Sequence, residues 1–421
     1  MDIKTKLIEN KHEIADIIYL VALQGLNFIA PILVLPYLMV VLGAEKFGYI
    51  SFALAVCQYL NVAVDFGFYL STTKRIALVK DDKAALSRIF SAAFYCKMGL
   101  LVLSFIVLAV IAAIPKFAVY RPALFAMFTM VVGNAFLFAF LFQGLGQIRW
   151  VSIFNGIAKM SVLPLTFVFV KNPGDYLIAA LLQGGVSIVA AIISLLMIVR
   201  KRWLNMPRFC MADCKTEMKE GFPIFISNAS GNIYVFGFVL ILGIFATPDE
   251  VGRYAASDKI IRALIAVTMA PVIQAFYPSV VRMAATGWQK AKNTVNLLLG
   301  LLLAAMVVII VAVFAVSPYL PEWLGSDYSG TETIIRILSF ATVFITMGGI
   351  CGQLGLLAMG GGAQKKSFSK VYVGAAVVAL TSVLVLSPFY QGIGAAIAIL
   401  LTEAYVGITM LVLYVKMLRS C

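Results

Sequence analysis

The stretch LLLGLLLAAMVVIIVAVFAV, residues 297–316, runs through twenty positions without one charged or strongly polar side chain. About twenty apolar residues in a helix are needed to cross the roughly 30 Å hydrocarbon layer of a bilayer. A helix also satisfies its own backbone hydrogen bonds, which lipid cannot do. This stretch therefore predicts a transmembrane helix.

The rest of the chain repeats this pattern. Of its 421 residues 62% are hydrophobic and 12% are charged, whereas soluble domains have about 45–50% and about 25%. No soluble core could bury so much apolar surface, so we expect an all-α polytopic membrane protein. The apolar runs predict about twelve transmembrane helices. They lie at residues 17–41, 47–71, 91–114, 122–146, 150–170, 176–199, 222–246, 253–281, 294–317, 331–358, 371–387 and 392–415.

The distribution of basic residues predicts the orientation. Most of the 33 Lys and Arg residues fall in alternate connections, and such loops stay in the cytoplasm. Both termini are therefore expected to be cytoplasmic, and the net charge of +14 is explained by loops that face anionic lipid. A nucleic-acid partner is not expected, because the cations are spread over many segments. The charges near the N-terminus and the long apolar run after them argue against a cleavable signal peptide.

The cysteines do not indicate a metal site. Cys210 and Cys214 are close in sequence, but a closed zinc site needs four ligands and His12 is the single histidine. We expect reduced cysteines, no metal and no cofactor.

Two similar motifs suggest an internal repeat. AEKFGYISFA (44–53) opens the second span and PDEVGRYAAS (248–257) opens the eighth. Each has an acid, an apolar residue, a glycine and then a tyrosine, and Gly48 and Gly252 are about half a chain apart. We expect two six-helix bundles, residues 1–199 and 222–421, joined by a cytoplasmic linker loop at 200–221. Transporters built from such repeats bind their substrate between the halves, near the membrane midplane.

Three stretches carry a family resemblance. They are PYLMVVLGAEKFGYISFALAVCQYLNVAVDFGFYLSTTKRIA (36–77), FQGLGQIRW (142–150) and DEVGRYAASDKIIRAL (249–264). They resemble the Wzx-type O-antigen flippases, polysaccharide exporters of the superfamily that includes MATE multidrug antiporters and lipid II flippases.

The resemblance implies two bundles around a V-shaped central cavity. The implied activity is alternating-access transport of an undecaprenyl-diphosphate-linked oligosaccharide from the cytoplasmic to the periplasmic leaflet of the bacterial inner membrane, coupled to an ion gradient. Other glycan-assembly membrane proteins are possible partners. The sugar composition does not carry over, because subgroups of the family diverge strongly.

Charged residues within apolar spans are candidates for function. A rise of about 1.5 Å per residue places Lys159, Arg262 and Glu403 near the midplane. A diphosphate is strongly anionic and needs cationic partners. The candidate cations are Arg262, Lys159, Lys97 and Lys259, and the candidate sugar-binding amides are Asn155 and Asn232.

Each of these assignments has a structural alternative. Lys97 and Lys259 could extend their ammonium groups to the interface. Asp258 and Arg262 have the i, i+4 spacing of a static helix ion pair, and amides also join membrane helices.

The acids are candidates for coupling and gating. Glu403 and Asp258 could bind a coupling proton. Asp65 lies in VDFGFYLSTTKR (64–75), where it could close the cytoplasmic mouth by pairing with a cation on another helix. Lys97 is the preferred partner, because it lies at similar depth. The alternative is a static pair with a loop cation or a hydroxyl group.

Two other functions remain open. A MATE-like multidrug or cation antiporter would need an acidic, aromatic cavity, and here the deep cations slightly outnumber the deep acids. A membrane glycan polymerase or ligase would need a larger periplasmic catalytic loop. GGGAQKK (360–366) lacks the ending of a phosphate-binding loop, so ATP hydrolysis is not expected. We expect a transporter and not an enzyme.

Overall fold

A computed structural model describes residues 11–205 and 208–420 of the chain. Every regular element in these ranges is helical. The prediction of an all-α membrane protein is confirmed, because nine segments of the described chain are long and apolar enough to cross a bilayer. The count of twelve spans and the V-shaped cavity stay predictions.

The helices of the first half begin with a long helix, α1, at Lys11–Asp65. Six others follow: α2 at Phe68–Leu78, α3 at Lys83–Ala113, α4 at Arg121–Phe136, α5 at Ala139–Gly144, α6 at Ile148–Phe169 and α7 at Tyr176–Lys201. Short 3-10 turns at Pro115–Tyr120 and Pro173–Asp175 precede α4 and α7.

The second half also consists of helices. They are α8 at Met211–Phe245, α9 at Pro248–Thr286, α10 at Trp288–Val316, α11 at Leu320–Leu324, α12 at Thr331–Gly349 and α13 at Gly362–Ser420. A π-helix at Ile350–Leu357 continues α12. Helix α8 begins inside the predicted linker loop, so residues 211–221 are helical and join the seventh predicted span without a break.

The two longest helices are interrupted. Gly43 in α1 has φ +69° and ψ 172°, and Gln391 in α13 has φ +47° and ψ −124°. Both conformations lie outside the helical region, so each helix consists of two segments. The interruption at Gly43 falls between the first and second predicted spans, and that at Gln391 between the last two.

The described chain divides into two compact units. Among the described residues, the first consists of those up to 41 and between 57 and 228, and the second of residues 42–56 and those from 229 onward. Helices α1 and α8 each contribute to both units. The predicted bundles at 1–199 and 222–421 stay a prediction.

Each unit has its own packed interior. In the first unit α4 lies against α7, and a Cβ at Gly133 or Gly184 would overlap atoms of the facing helix. Small residues allow membrane helices to approach this closely. In the second unit a buried cluster includes Val295, Ile350 and Met410. These interiors fix the helices that carry the charged residues.

Candidate functional site

Asp65 lies where the second predicted span breaks. It is the last residue of α1, and Phe66 and Gly67 follow with φ of +46° and +81°. The backbone N–H groups of Gly67 and Tyr69 lie near the Asp65 carboxylate. Gly67 is the N-cap of α2, so the carboxylate lies next to the free N–H groups of the first helical turn, which favour an anion.

Lys97 on α3 is the cation that faces Asp65. Its Nζ lies 3.9 Å from Asp65 Oδ1 and donates to the Asn134 carbonyl at 3.5 Å. The ammonium also lies 5.6 Å from the centre of the Phe140 ring. Lys97 is 4% exposed, so its charge is held inside the protein and does not extend to an interface.

The Asn134 carbonyl can accept from Lys97 because α4 ends at Phe136. Phe138 follows with φ +46°, and this left-handed residue interrupts the helical hydrogen bonding of the last turn. Two broken helices thus place a carboxylate and a carbonyl around one ammonium. A cavity of about 200 Å³, which we call the Asp65 cavity, is lined by Asp65, Lys97, Asn61, Tyr69, Asn134 and Phe140.

Arg262 is in a second cavity, which belongs to the other unit. Arg262 Nε donates to both oxygens of Asp258, at 2.9 and 2.8 Å, as the i, i+4 spacing predicts. Gln353, Tyr372 and Glu403 line the same cavity of about 280 Å³, which we call the Arg262 cavity. The structure thus brings together the predicted anion-binding arginine and the predicted coupling acid.

The π-helix shapes one wall of the Arg262 cavity. The amide of Ala358 donates to the Gln353 carbonyl at 3.0 Å, a bond that spans five residues and widens the turn. Gln353 lies in this widened turn, and π-helical turns are frequent at functional sites. Glu403 on α13 is 4% exposed, so the cavity wall holds a nearly buried carboxylate besides the Arg262 guanidinium, which is itself paired with Asp258.

Lys259 is directed away from the Arg262 cavity. Its Nζ donates to Ser51 Oγ at 3.3 Å and lies 4.5 Å from the centre of the Phe47 ring. Ser51 and Phe47 belong to the part of α1 in the second unit. In this structure Lys259 fixes a helix contact, and its predicted role in substrate binding stays a prediction.

Three other predicted residues lie outside both cavities. Lys159 is exposed on α6, and Asn155 one turn earlier is half-buried. Asn232 is half-buried on α8. Their roles in binding the substrate stay predictions.

The sequence analysis missed two ion pairs, which lie on the side expected to face the cytoplasm. Glu217 on α8 is fully buried, pairs with Arg75 and accepts from Thr72 Oγ1 at 3.0 Å. Burial raises the pKa of Glu217 above its usual value, and the Arg75 charge opposes that shift.

One turn earlier, Asp213 forms a second ion pair. Arg88 Nε and Nη2 donate to its two oxygens, both at 2.6 Å, and these bonds lower the pKa of Asp213. The sequence feature that could have revealed these pairs is the four-residue spacing of Asp213 and Glu217, which puts both acids on one face of a helix. The spacing has this meaning only once residues 211–221 are recognised as helical.

The described residues include no group of three or more His, Cys, Asp or Glu side chains that could hold a metal ion.

Comparison with known sequences gives consistent matches. A sequence profile of the family described as polysaccharide biosynthesis protein matches residues 14–284. The Escherichia coli (strain K12) protein named "Putative O-antigen transporter" is 29% identical over 401 residues, which cover 94% of this chain and 95% of the relative. A Shigella dysenteriae protein of the same name is 26% identical over 404 residues, covering 94% and 98%.

Comparison with solved structures identifies the fold. The lipid II flippase MurJ in an inward closed conformation matches with a TM-score of 0.69 and 14% identity, covering 95% of this chain and 87% of that one. An inward-facing MATE family multidrug resistance transporter matches with a TM-score of 0.67 and 12% identity, covering 93% and 95%. At these identities the likeness is one of fold.

Proposed function

Because the chain belongs to the polysaccharide biosynthesis protein family, we propose that it is a flippase for a lipid-linked oligosaccharide. The observation that carries the proposal is the similarity to proteins named as O-antigen transporters along nearly the whole length of both chains. The protein is a multi-pass membrane protein. We place it in the bacterial inner membrane with both termini in the cytoplasm, since basic loops stay inside.

The proposed substrate is an undecaprenyl-diphosphate-linked glycan. Its diphosphate must leave water during transfer, and an unpaired anion in an apolar environment is very costly. Arg262 is our candidate for the diphosphate anchor, because a guanidinium can bind phosphate oxygens with two parallel hydrogen bonds. In this structure Asp258 occupies that face of Arg262, so substrate must compete with Asp258 or share the guanidinium with it.

Glu403 is our candidate for the coupling group. It lines the Arg262 cavity and is almost fully buried. A proton bound to Glu403 would leave Arg262 with one carboxylate neighbour fewer, and so increase its attraction for a diphosphate. Release of that proton would weaken the attraction, which couples proton movement to substrate release without a covalent step.

The Arg262 cavity also supports a second candidate function. Asp258 and Glu403 give it two carboxylates against one arginine, a balance that suits a small organic cation. A MATE-like antiporter would use such a cavity, and the fold is shared with a MATE family transporter. The family membership favours the flippase.

Binding measurements separate the two candidates. Purified protein in nanodiscs is titrated with an undecaprenyl-diphosphate-linked glycan, with undecaprenyl phosphate and with a hydrophobic cation such as ethidium. The flippase proposal predicts saturable binding of the lipid-linked glycan that weakens in Arg262→Ala. Binding of ethidium alone, with weakening in Glu403→Gln, would favour the antiporter.

A further inference from the structure

The Asp65 cavity holds a buried ammonium group that the protein bonds only loosely. Lys97 Nζ lies 3.5 Å from the Asn134 carbonyl oxygen and 3.9 Å from Asp65 Oδ1. A hydrogen bond between an ammonium and a carboxylate is normally about 2.7–2.9 Å long, and an ammonium has three donors. Lys97 therefore keeps hydrogen-bonding capacity for a group that enters the cavity.

Neutral polar side chains in the cavity wall are available as well. Asn61, Asn134 and Tyr69 line the cavity, and their side chains make no hydrogen bond to another described residue. Polar groups inside a protein bond to water or to a ligand when they have no protein partner. The wall thus presents several donors and acceptors to one small space.

The size and the charge of the cavity decide which part of a lipid-linked glycan it can hold. Its volume of about 200 Å³ is below the roughly 300–1,000 Å³ of pockets for drug-sized ligands, so it suits a single sugar ring. Of the described residues that line it, Asp65 and Lys97 carry opposite charges. The carboxylate repels a diphosphate and the ammonium repels an organic cation, whereas a neutral sugar meets neither repulsion.

We propose that the Asp65 cavity is a subsite for one neutral sugar residue of the transported glycan. The inference rests on the proposed flippase function and adds to it a site in the first unit that recognises sugar and not phosphate. Sugar hydroxyl groups donate to Asp65 and accept from Lys97 and Asn61, and hydrogen bonds to charged groups are the stronger ones. Val64 and Leu137, which also line the cavity, cover the apolar face of the ring.

Two substitutions alter the cavity without changing its charges. Asn61→Leu removes an amide at nearly constant size, and it breaks no hydrogen bond to a described residue. Ala139→Leu fills part of the space from α5. The matched control is Gln58→Met, which removes a half-buried amide of α1 that does not line the cavity.

Each variant is titrated in nanodiscs with two lipids. One is the undecaprenyl-diphosphate-linked glycan extracted from the cells that make the protein naturally, and the other is undecaprenyl diphosphate without sugar. We expect wild type and Gln58→Met to bind the glycan-bearing lipid at least about tenfold more tightly, which is about 1.4 kcal/mol. Asn61→Leu and Ala139→Leu should lose most of this preference. They should still bind undecaprenyl diphosphate as wild type does, which also shows that they are folded.

The outcomes separate the sugar subsite from the function on which it rests. An unchanged preference in both Asn61→Leu and Ala139→Leu would show that the cavity holds water only, and would overturn the subsite while the flippase stands. Equal binding of the two lipids by wild type would have the same meaning. Binding of neither lipid by wild type would refute the flippase, and the subsite with it.

Discussion

The ion pair of Asp65 and Lys97 allows a charge to be removed while a side chain of nearly the same shape is kept. Asp65→Asn retains one side-chain oxygen beside the backbone N–H groups of Gly67 and Tyr69. It leaves the Lys97 ammonium buried, with the Asn134 carbonyl as its remaining close polar partner in the cavity.

The magnitude follows from burial and distance. Removal of one partner from a buried pair costs about 3–5 kcal/mol. Here the Asp65 side chain is 33% exposed and the two charges are 3.9 Å apart, so we expect the lower end, about 3 kcal/mol. Lys97→Met removes the stranded charge and keeps an unbranched side chain. The double variant should therefore recover most of the loss, with a coupling energy of about 2 kcal/mol.

Unfolding in mixed micelles of increasing SDS fraction measures these free energies. Asp65→Ala is the control that also removes the side-chain oxygen next to the start of α2, and it should cost about 1 kcal/mol more than Asp65→Asn. If Asp65→Asn and Lys97→Met add to within about 0.5 kcal/mol, the pair contributes no coupling and the reasoning fails.

The gating hypothesis needs a second measurement on this pair. If the pair closes the predicted cytoplasmic mouth, Asp65→Asn should increase cytoplasmic-side thiol labelling of a cysteine placed in the cavity of a cysteine-free variant. The addition of Lys97→Ala should produce no further increase. Unchanged labelling in Asp65→Asn would contradict the gating hypothesis.

Three other predictions concern single side chains. Arg262→Ala should abolish transport at normal protein levels. Arg262→Lys should retain part of it, because lysine supplies the charge without the paired hydrogen bonds. Normal surface glycan in Arg262→Ala would contradict the assignment of Arg262 as the diphosphate anchor. Glu403→Gln should transport at a rate that does not respond to a pH gradient, and full pH dependence in that variant would place coupling elsewhere. Because burial raises the pKa of Glu217, the folded state holds its proton at a higher pH than the unfolded state does. Stability should then fall as pH rises from the unfolded pKa, about 4.3, through the raised folded pKa. Melting curves across this range should lose that slope in Glu217→Gln, and an unchanged slope would assign it to another group.

The membrane-helical character could be predicted from the sequence because it depends on length and apolarity alone. The pairing of Asp258 with Arg262 was also within reach, since four residues along a helix place two side chains on one face. Lys97 was predicted as the partner of Asp65 from depth, and the structure places them 3.9 Å apart.

The breaks next to Asp65 and Asn134 could not be predicted in this way. Phe138 adopts a left-handed conformation that phenylalanine rarely takes, and its tertiary surroundings must impose it. Without that break the Asn134 carbonyl would be bonded within its own helix. The position of Lys97 between two broken helices is therefore a property of the fold.

The network at Glu217 was missed for a related reason. Residues 200–221 are polar and basic, so the sequence favoured a loop. Helix α8 instead begins at Met211 and carries Asp213 and Glu217 towards Arg88 and Arg75. Likewise, the meeting of Arg262 and Glu403 in one cavity depends on the packing of α9 against α13, which one sequence cannot reveal.

Movement of the lipid-linked glycan between leaflets tests the central claim most directly. Proteoliposomes that contain wild-type protein, Arg262→Ala or no protein are loaded with a defined undecaprenyl-diphosphate-linked glycan, and a membrane-impermeant glycosidase measures the fraction in the outer leaflet. We predict rapid, protein-dependent exchange in wild type that a pH gradient accelerates, and exchange near the protein-free rate in Arg262→Ala. Exchange by the wild type no faster than in protein-free vesicles, with and without the gradient, would contradict the assignment as a flippase.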